Sequence, residues 1–421
     1  MGIVGFGLQI MYIYCEDYEC AETIFNEICE MLKVVYKLQI NTAKSGIYVA
    51  LDRRILGYEF FESNGSVGTR KFSYKPQESY RNWHASALQR LNNEFHIVQD
   101  GVLNKKDYAL LFENEEEKHH IPVEVVDNMN LYGNVTISTN VLKTLCEKNI
   151  RLTIYNKYGD VEGYFVPQGY ISASDTLLKQ VSVYLDTGKR LEFAKRMEVA
   201  GLHNMRANLR YYAKKKTNKE LDEAITEFGG YIDEIDAGSS VEELRLIEAR
   251  ARQKYYSLFN SIIEDENYCF VKRSKRPPRD AINAMISFGN TLLYNQIIQI
   301  IWKTSLDPRI GIVHASNRRS HTLNLDFADI FKPIVVDRVI FSLINLRQLK
   351  LDVDFECNEN GSVYLSKGGK KLFISEFENK LASVMTVKGK KITYKRIMHD
   401  EVVHFQKAIV SGEKYKPYKY Y

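Results

Sequence analysis

Four side chains in two separate stretches have the types and spacing of a divalent-metal site. In residues 311–338, GIVHASNRRSHTLNLDFADIFKPIVVDR, His314 follows an apolar run and a basic segment comes next. Asp326 and Asp329 then stand one helical turn apart. A further acid, Glu248, lies upstream in LIEARARQKYY, near the start of an expected helix. One glutamate, one histidine and one or two aspartates can hold a hard cation such as Mg²⁺ or Mn²⁺. Each also has a plainer reading. Glu248 and Arg252 form an i,i+4 pair, worth only a few tenths of a kcal/mol on a surface. A histidine beside an apolar run also serves as a core residue with one hydrogen bond. Two acids at the start of a helix suit its dipole.

Basic residues flank both stretches, so a metal there would serve phosphate chemistry. Arg318 and Arg319 fall between His314 and Asp326. Lys272, Arg273, Lys275, Arg276 and Arg279 surround Pro277-Pro278. Lys195, Arg196, Arg206, Arg210 and the lysines at 214–216 form a second stripe. A charge run is ordinarily a solvated face. Beside metal-binding acids, phosphate contact is the stronger reading, because guanidinium forks match phosphate oxygens. Arg206, Arg210, Arg252, Arg273, Arg276, Arg318 and Arg319 are the candidates for a DNA backbone, and such contacts position a substrate more than they specify it. His321 belongs to the basic segment and reads as a contact to DNA or solvent. Asn283 sits in a first helical turn that Asp280 would cap.

Elements must bring these residues together across some eighty positions. The chain has 421 residues, of which 45% are hydrophobic and 12% aromatic, so it can bury two or three domains of roughly 100–200 residues each. A net charge of +5 says little by itself. Six scattered cysteines with no CxxC pair support neither a zinc ribbon nor a disulfide framework and fit a reducing cytosol, hence a cytoplasmic protein. The start lacks the basic region and cleavage site of a signal peptide. No apolar run is long enough for a bilayer, so no membrane partner is expected.

An α+β class follows from the pattern. Residues 1–93 mix strand-like runs with a helix over 21–38 and end in a linker. Residues 94–170 hold short β-branched strands separated by turn signals, a small β-rich domain. Residues 171–421 are mostly amphipathic helices, over 174–184, 190–216, 220–235, 241–263, 279–302 and 327–346. A hairpin at Asn360-Gly361 interrupts them, and helices resume from Lys371.

The last two regions resemble the CRISPR-associated endonuclease one family, the integrases that insert spacers into CRISPR arrays. The resemblance covers about residues 94–415. It rests on LYGNVTIST with NIRLTIYNKYGDVEGYFVP, on KRLEFAKRMEVAGLHNMRANLRYY with Asn204 and Arg206, on LIEARARQKYY, on KRPPRDAINAMISFGNTLLY, and on GIVH with LNLDFADIFKP. The chain departs from the family's usual residues at Leu202, His203, Met205, Ala249 and Asp329. The resemblance implies that Glu248, His314 and Asp329 are the catalytic metal ligands for Mg²⁺ or Mn²⁺. Asp326 would stand behind them or reach the metal through water.

It further implies attack by the 3′-hydroxyl of spacer DNA on a repeat phosphodiester, with no covalent enzyme intermediate. The implied assembly is a homodimer formed through the β-rich domain, bridged by a dimer of the small CRISPR-associated endoribonuclease two family. Two other functions use the same residues: a structure-selective nuclease on branched DNA in repair, and a DNA-binding scaffold without chemistry. KLQINTAKSG and RRILGYEF in the first region resemble the end of a reverse-transcriptase palm. No acidic residue occurs in the first fifteen positions. Polymerase chemistry needs metal-bound carboxylates, so this region reads as a remnant without that activity.

Overall fold

The computed structural model describes residues 2–6, 11–15, 18–34, 46–49, 54–55, 58–63, 66–71 and 88–91, then 94–420 apart from 108, 169–172, 216–217, 315–320 and 388. The chain divides into two compact units, Met1–Arg81 and Asn82–Tyr421. In the first, β1 (Gly2–Phe6), β2 (Met11–Cys15), α1 (Tyr18–Val34) and β3 (Gly46–Val49) give an antiparallel sheet of order β2-β1-β3 that touches the helix. A second antiparallel sheet holds β4 (Arg54–Ile55), β5 (Tyr58–Ser63) and β6 (Ser66–Lys71) in chain order.

The second unit begins with β7 (Leu88–Leu91), which pairs with β8 (Glu94–Ile97) where a linker was expected. Then follow β9 (Gly101–Lys106), β10 (Ala109–Glu113), β11 (Lys118–Pro122), β12 (Asn128–Leu131) and β13 (Val135–Ile137). After α2 (Thr139–Glu147) come β14 (Arg151–Tyr155) and β15 (Val161–Phe165). One sheet has the order β15-β14-β12-β8-β7, with β12 parallel to both neighbours. The other has the order β11-β10-β9-β13. Their inward residues, among them Leu103, Phe112, Met129 and Leu152, form one apolar core with Val141 and Leu145 of α2.

The helical part contains α3 (Ser174–Leu185), α4 (Thr187–Ala213), α5 (Lys219–Ala237), α6 (Val241–Ser257), α7 (Phe259–Ile262), α8 (Ala281–Ile301), α9 (Leu323–Phe331) and α10 (Val336–Asn345). The hairpin β16 (Phe355–Cys357) and β17 (Val363–Leu365) leads into α11 (Lys367–Ala382). A second hairpin, β18 (Val384–Val387) and β19 (Lys390–Thr393), precedes α12 (Tyr394–Ser411). Helix α8 is buried on nearly every side, as an all-round apolar helix must be. Asp280 caps it by accepting the Asn283 N–H at 2.7 Å. Among the described residues no helix is long and apolar enough to cross a membrane.

Two expectations are corrected. The helix expected over 327–346 is two helices, α9 and α10. Pro333 lacks an N–H and restricts the residue before it, so the helix breaks there. The hairpin β18–β19 falls where only helix was expected; its turn, VKGK, was the signal.

Polar groups weld the first sheet to α8. Asn295 donates to Asn130 Oδ1 at 3.0 Å and to the Tyr155 hydroxyl at 2.6 Å, and accepts from Thr153 at 3.2 Å. The buried Arg151 guanidinium donates to the Gln299 carbonyl at 2.5 Å. Breaking any one of these would strand a buried polar group, which is costly.

Candidate metal centre

Helix α6 starts at the Ser240 cap, whose hydroxyl accepts the Glu243 N–H at 3.2 Å. Two turns on, Glu248 and Arg252 project from the same face. Arg252 Nε donates to the Glu248 carboxylate. Its Nη2 lies 3.1 Å from Asp329 Oδ1 on α9. Lys332, one turn beyond Asp329, donates to the same oxygen at 2.6 Å. A guanidinium and an ammonium thus stand between and beside two carboxylates from different helices.

His314 is placed by Asp326. This carboxylate is 2% exposed, and four N–H groups converge on it. Oδ2 accepts from Ile312 at 2.5 Å and Val313 at 3.2 Å. Oδ1 accepts the backbone N–H of His314 at 2.9 Å and its ring Nδ1 at 2.8 Å. The proton is therefore on Nδ1, and Nε2 faces away, 4.0 Å from Asp329 Oδ2. Gly311 makes this close approach possible: a Cβ there would lie 2.8 Å from Thr322 Oγ1 and 3.0 Å from Asp326 Oδ2.

Glu248, His314 and Asp329 line one cavity of about 460 Å³, together with Glu198, Glu242 and Arg245. Burial raises Asp329's pKa, but the charges of Lys332, Arg252 and His314 outweigh it and hold the carboxyl well below the usual range. Burial lowers His314, yet the Asp326 hydrogen bond and the Asp329 charge leave its pKa raised. Burial, with Glu248 and Asp329 nearby, pushes Glu198 well above the ordinary glutamate value, against the pull of Arg252. Burial lowers Arg252, but the Glu248 and Asp329 charges leave it well above its usual value.

The other predicted contacts are distributed differently. Arg210 and Arg276 are exposed. Arg206 lies over Gly229 of α5, where a Cβ would sit 3.6 Å from the guanidinium. Arg273 turns inward, donating to Asn283 Oδ1 at 2.7 Å and to Ser287 Oγ at 3.0 Å. Arg252 is held between Glu248 and Asp329. Arg318 and Arg319 lie outside the described residues. Sequence reasoning missed Glu198, Glu242 and Lys332. The signal for Glu198 was an acid inside the apolar run MEVAGL; for Lys332 it was its place one turn after Asp329.

The donor set suits a hard divalent cation, with oxygen donors and one imidazole nitrogen. Among the described residues, however, no three such side chains already close into ion-holding geometry. Arg252 supplies the positive charge that the carboxylates need.

A β-rich region stands ahead of a helical one whose elements alone line the cavity, and comparison gives the family. The family model described as CRISPR associated protein Cas1 matches residues 95–379, and this chain belongs to that family. It is 38% identical over 330 residues to a CRISPR-associated endonuclease Cas1 of Thermodesulfovibrio yellowstonii, covering 78% of this chain and 99% of the relative. The solved structure of a Cas1 protein from Thermotoga maritima aligns with a TM-score of 0.68 at 31% identity, over 77% of this chain and 99% of that one. A casposase bound to integration product shares the fold, with a TM-score of 0.66 at 21% identity, over 76% and 91% of the two chains.

Proposed function

We propose that this chain is a divalent-metal-dependent integrase that joins spacer DNA into a CRISPR array by transesterification. The observation that carries the reading is that Glu248, His314 and Asp329, from separated segments, line one cavity. Those three side chains would hold Mg²⁺ or Mn²⁺. The bound ion would polarise the repeat phosphodiester and stabilise charge on the attacking or departing oxygen. Asp326 keeps the proton on His314 Nδ1, so Nε2 can donate its lone pair. Arg252, held between Glu248 and Asp329, would balance the two carboxylates until a cation does so.

The spacer 3′-hydroxyl gives up its proton as its oxygen bonds to phosphorus, the bond from phosphorus to the repeat's own 3′-oxygen breaks, and that departing oxygen takes up a proton, so one proton is lost and one gained. Arg210 and Arg276, both exposed, would meet DNA phosphate. A homodimer through the β-rich sheets, joined by the small Cas2-family partner, would set two strand transfers a fixed distance apart. The N-terminal unit is read as the remnant of a reverse-transcriptase palm, supported by its antiparallel sheet beside a helix and by its sequence motifs.

The test is a strand-transfer assay with purified protein, the small partner, Mn²⁺ or Mg²⁺, a duplex with free 3′ ends and a repeat-bearing plasmid. Joined product is expected from wild type with metal, and none from Glu248→Ala. Cutting of branched DNA without joining would replace the integrase with a repair nuclease. DNA binding by both proteins with no chemistry from either would leave a scaffold.

A further inference from the structure

We propose that Glu198 is an additional carboxylate ligand of the cation in this cavity, beside Glu248, His314 and Asp329. The inference rests on the metal reading above. Three features of Glu198 carry it.

The first is position. Helix α4 meets α9 at Gly201, where a Cβ would lie 3.4 Å from the Asp329 carbonyl oxygen. Asn204 fixes the same crossing, its amide donating to the Ile330 carbonyl at 2.8 Å. Glu198 is one turn before Gly201 on that face, which carries it to the Asp329 side, and it lines the cavity.

The second is burial without a partner. Glu198 is 6% exposed, yet it makes no hydrogen bond or ion pair with any described residue. Three other buried acids behave differently. Asp326 accepts four N–H groups. Glu401 accepts from the Tyr415 hydroxyl and the Tyr418 N–H. Glu94 accepts from Asn128 and Lys395, each at 2.9 Å. Its oxygens are not sealed off in the protein but open on the cavity, so a ligand there would supply the partner that the chain does not.

The third is the charge around it. Glu248, Asp329 and Asp326 repel it, and the attraction comes from Arg252. That guanidinium is already shared between Glu248 and Asp329. A divalent cation satisfies all three facing carboxylates together, which one guanidinium does not.

The experiment is isothermal titration of the full chain with Mn²⁺, alongside the metal-free melting temperature. Wild type, Glu248→Gln and Glu198→Gln are compared. The expected result is binding by wild type, none by Glu248→Gln, and a Kd raised about tenfold or more by Glu198→Gln, as for loss of a partner that tunes a metal site. The metal-free melting temperature of Glu198→Gln should equal or exceed that of wild type. An unchanged Kd in Glu198→Gln, with binding abolished in Glu248→Gln, overturns the inference and leaves the metal site standing. Wild-type binding that ignores Glu248→Gln, or no binding at all, overturns both. Should Glu198→Gln fail to fold, Glu198→Asp withdraws the carboxylate by one methylene and must show the same weakening.

Discussion

At the scale of single residues, the site depends on Asp326 holding an imidazole in one orientation. Asp326→Asn can still accept some of the four N–H groups but brings an N–H of its own and no charge. The His314 pKa, raised in wild type, should fall in that variant, as read by NMR titration of the ring. The sign follows from linkage. A histidine raised by its partner adds stability below its unfolded value of about 6.5, and that stability is lost as pH rises through the folded value. Strand transfer should drop by roughly 10–100-fold with the ring misaligned. The candidate residues stood out in the sequence because few side chains bind hard cations, and the structure brings Glu248, His314 and Asp329 to one cavity. Lys332 and Glu198 were harder to read, since the sequence offered only a lysine one turn after Asp329 and an acid within MEVAGL. Neither signal says that the side chain turns toward the site; for Glu198 the α4–α9 contact does that.

At the scale of elements, that contact is the sensitive joint. A Cβ at position 201 would just reach the Asp329 carbonyl, so Gly201→Ala should melt within a degree or two of wild type. Gly201→Leu must push α9, with Asp329, away from α4. Overpacking of this kind costs about 1–3 kcal/mol, a fall of several degrees by differential scanning fluorimetry, with Mn²⁺ binding weakened in parallel. Most helices could be read from periodicity, since each hides one apolar face from solvent. The helix over 279–302 was expected to be amphipathic as well, yet α8 is buried on nearly every side. The break at Pro333 was visible as a residue yet missed as a boundary, because the apolar pattern of α9 continues into α10. Short strands such as β12 and β19 were hidden because their sequences, NMNL and KKIT, lack a strong alternation. Their pairing partners define them.

At the scale of the whole molecule, buried acids away from the cavity set the pH response. Burial pushes Glu401 up to about 7, against the hydrogen bonds from Tyr415 and Tyr418. Its unfolded value is about 4.3. A carboxyl that is raised on folding adds stability below its unfolded value and loses it as pH climbs through the folded one. The melting temperature of Glu401→Gln minus that of wild type should therefore become more positive between pH 4 and pH 8. A difference that stays flat over that window would remove Glu401 as the titrating group. The weld between the first sheet and α8 has a mechanical consequence. Asn295 and Arg151 tie the strands directly to the central helix, so the sheets act as a handle bolted to the helical body. Whatever grips that handle also aims the mouth of the cavity, and its heading is set at strands that line no part of it.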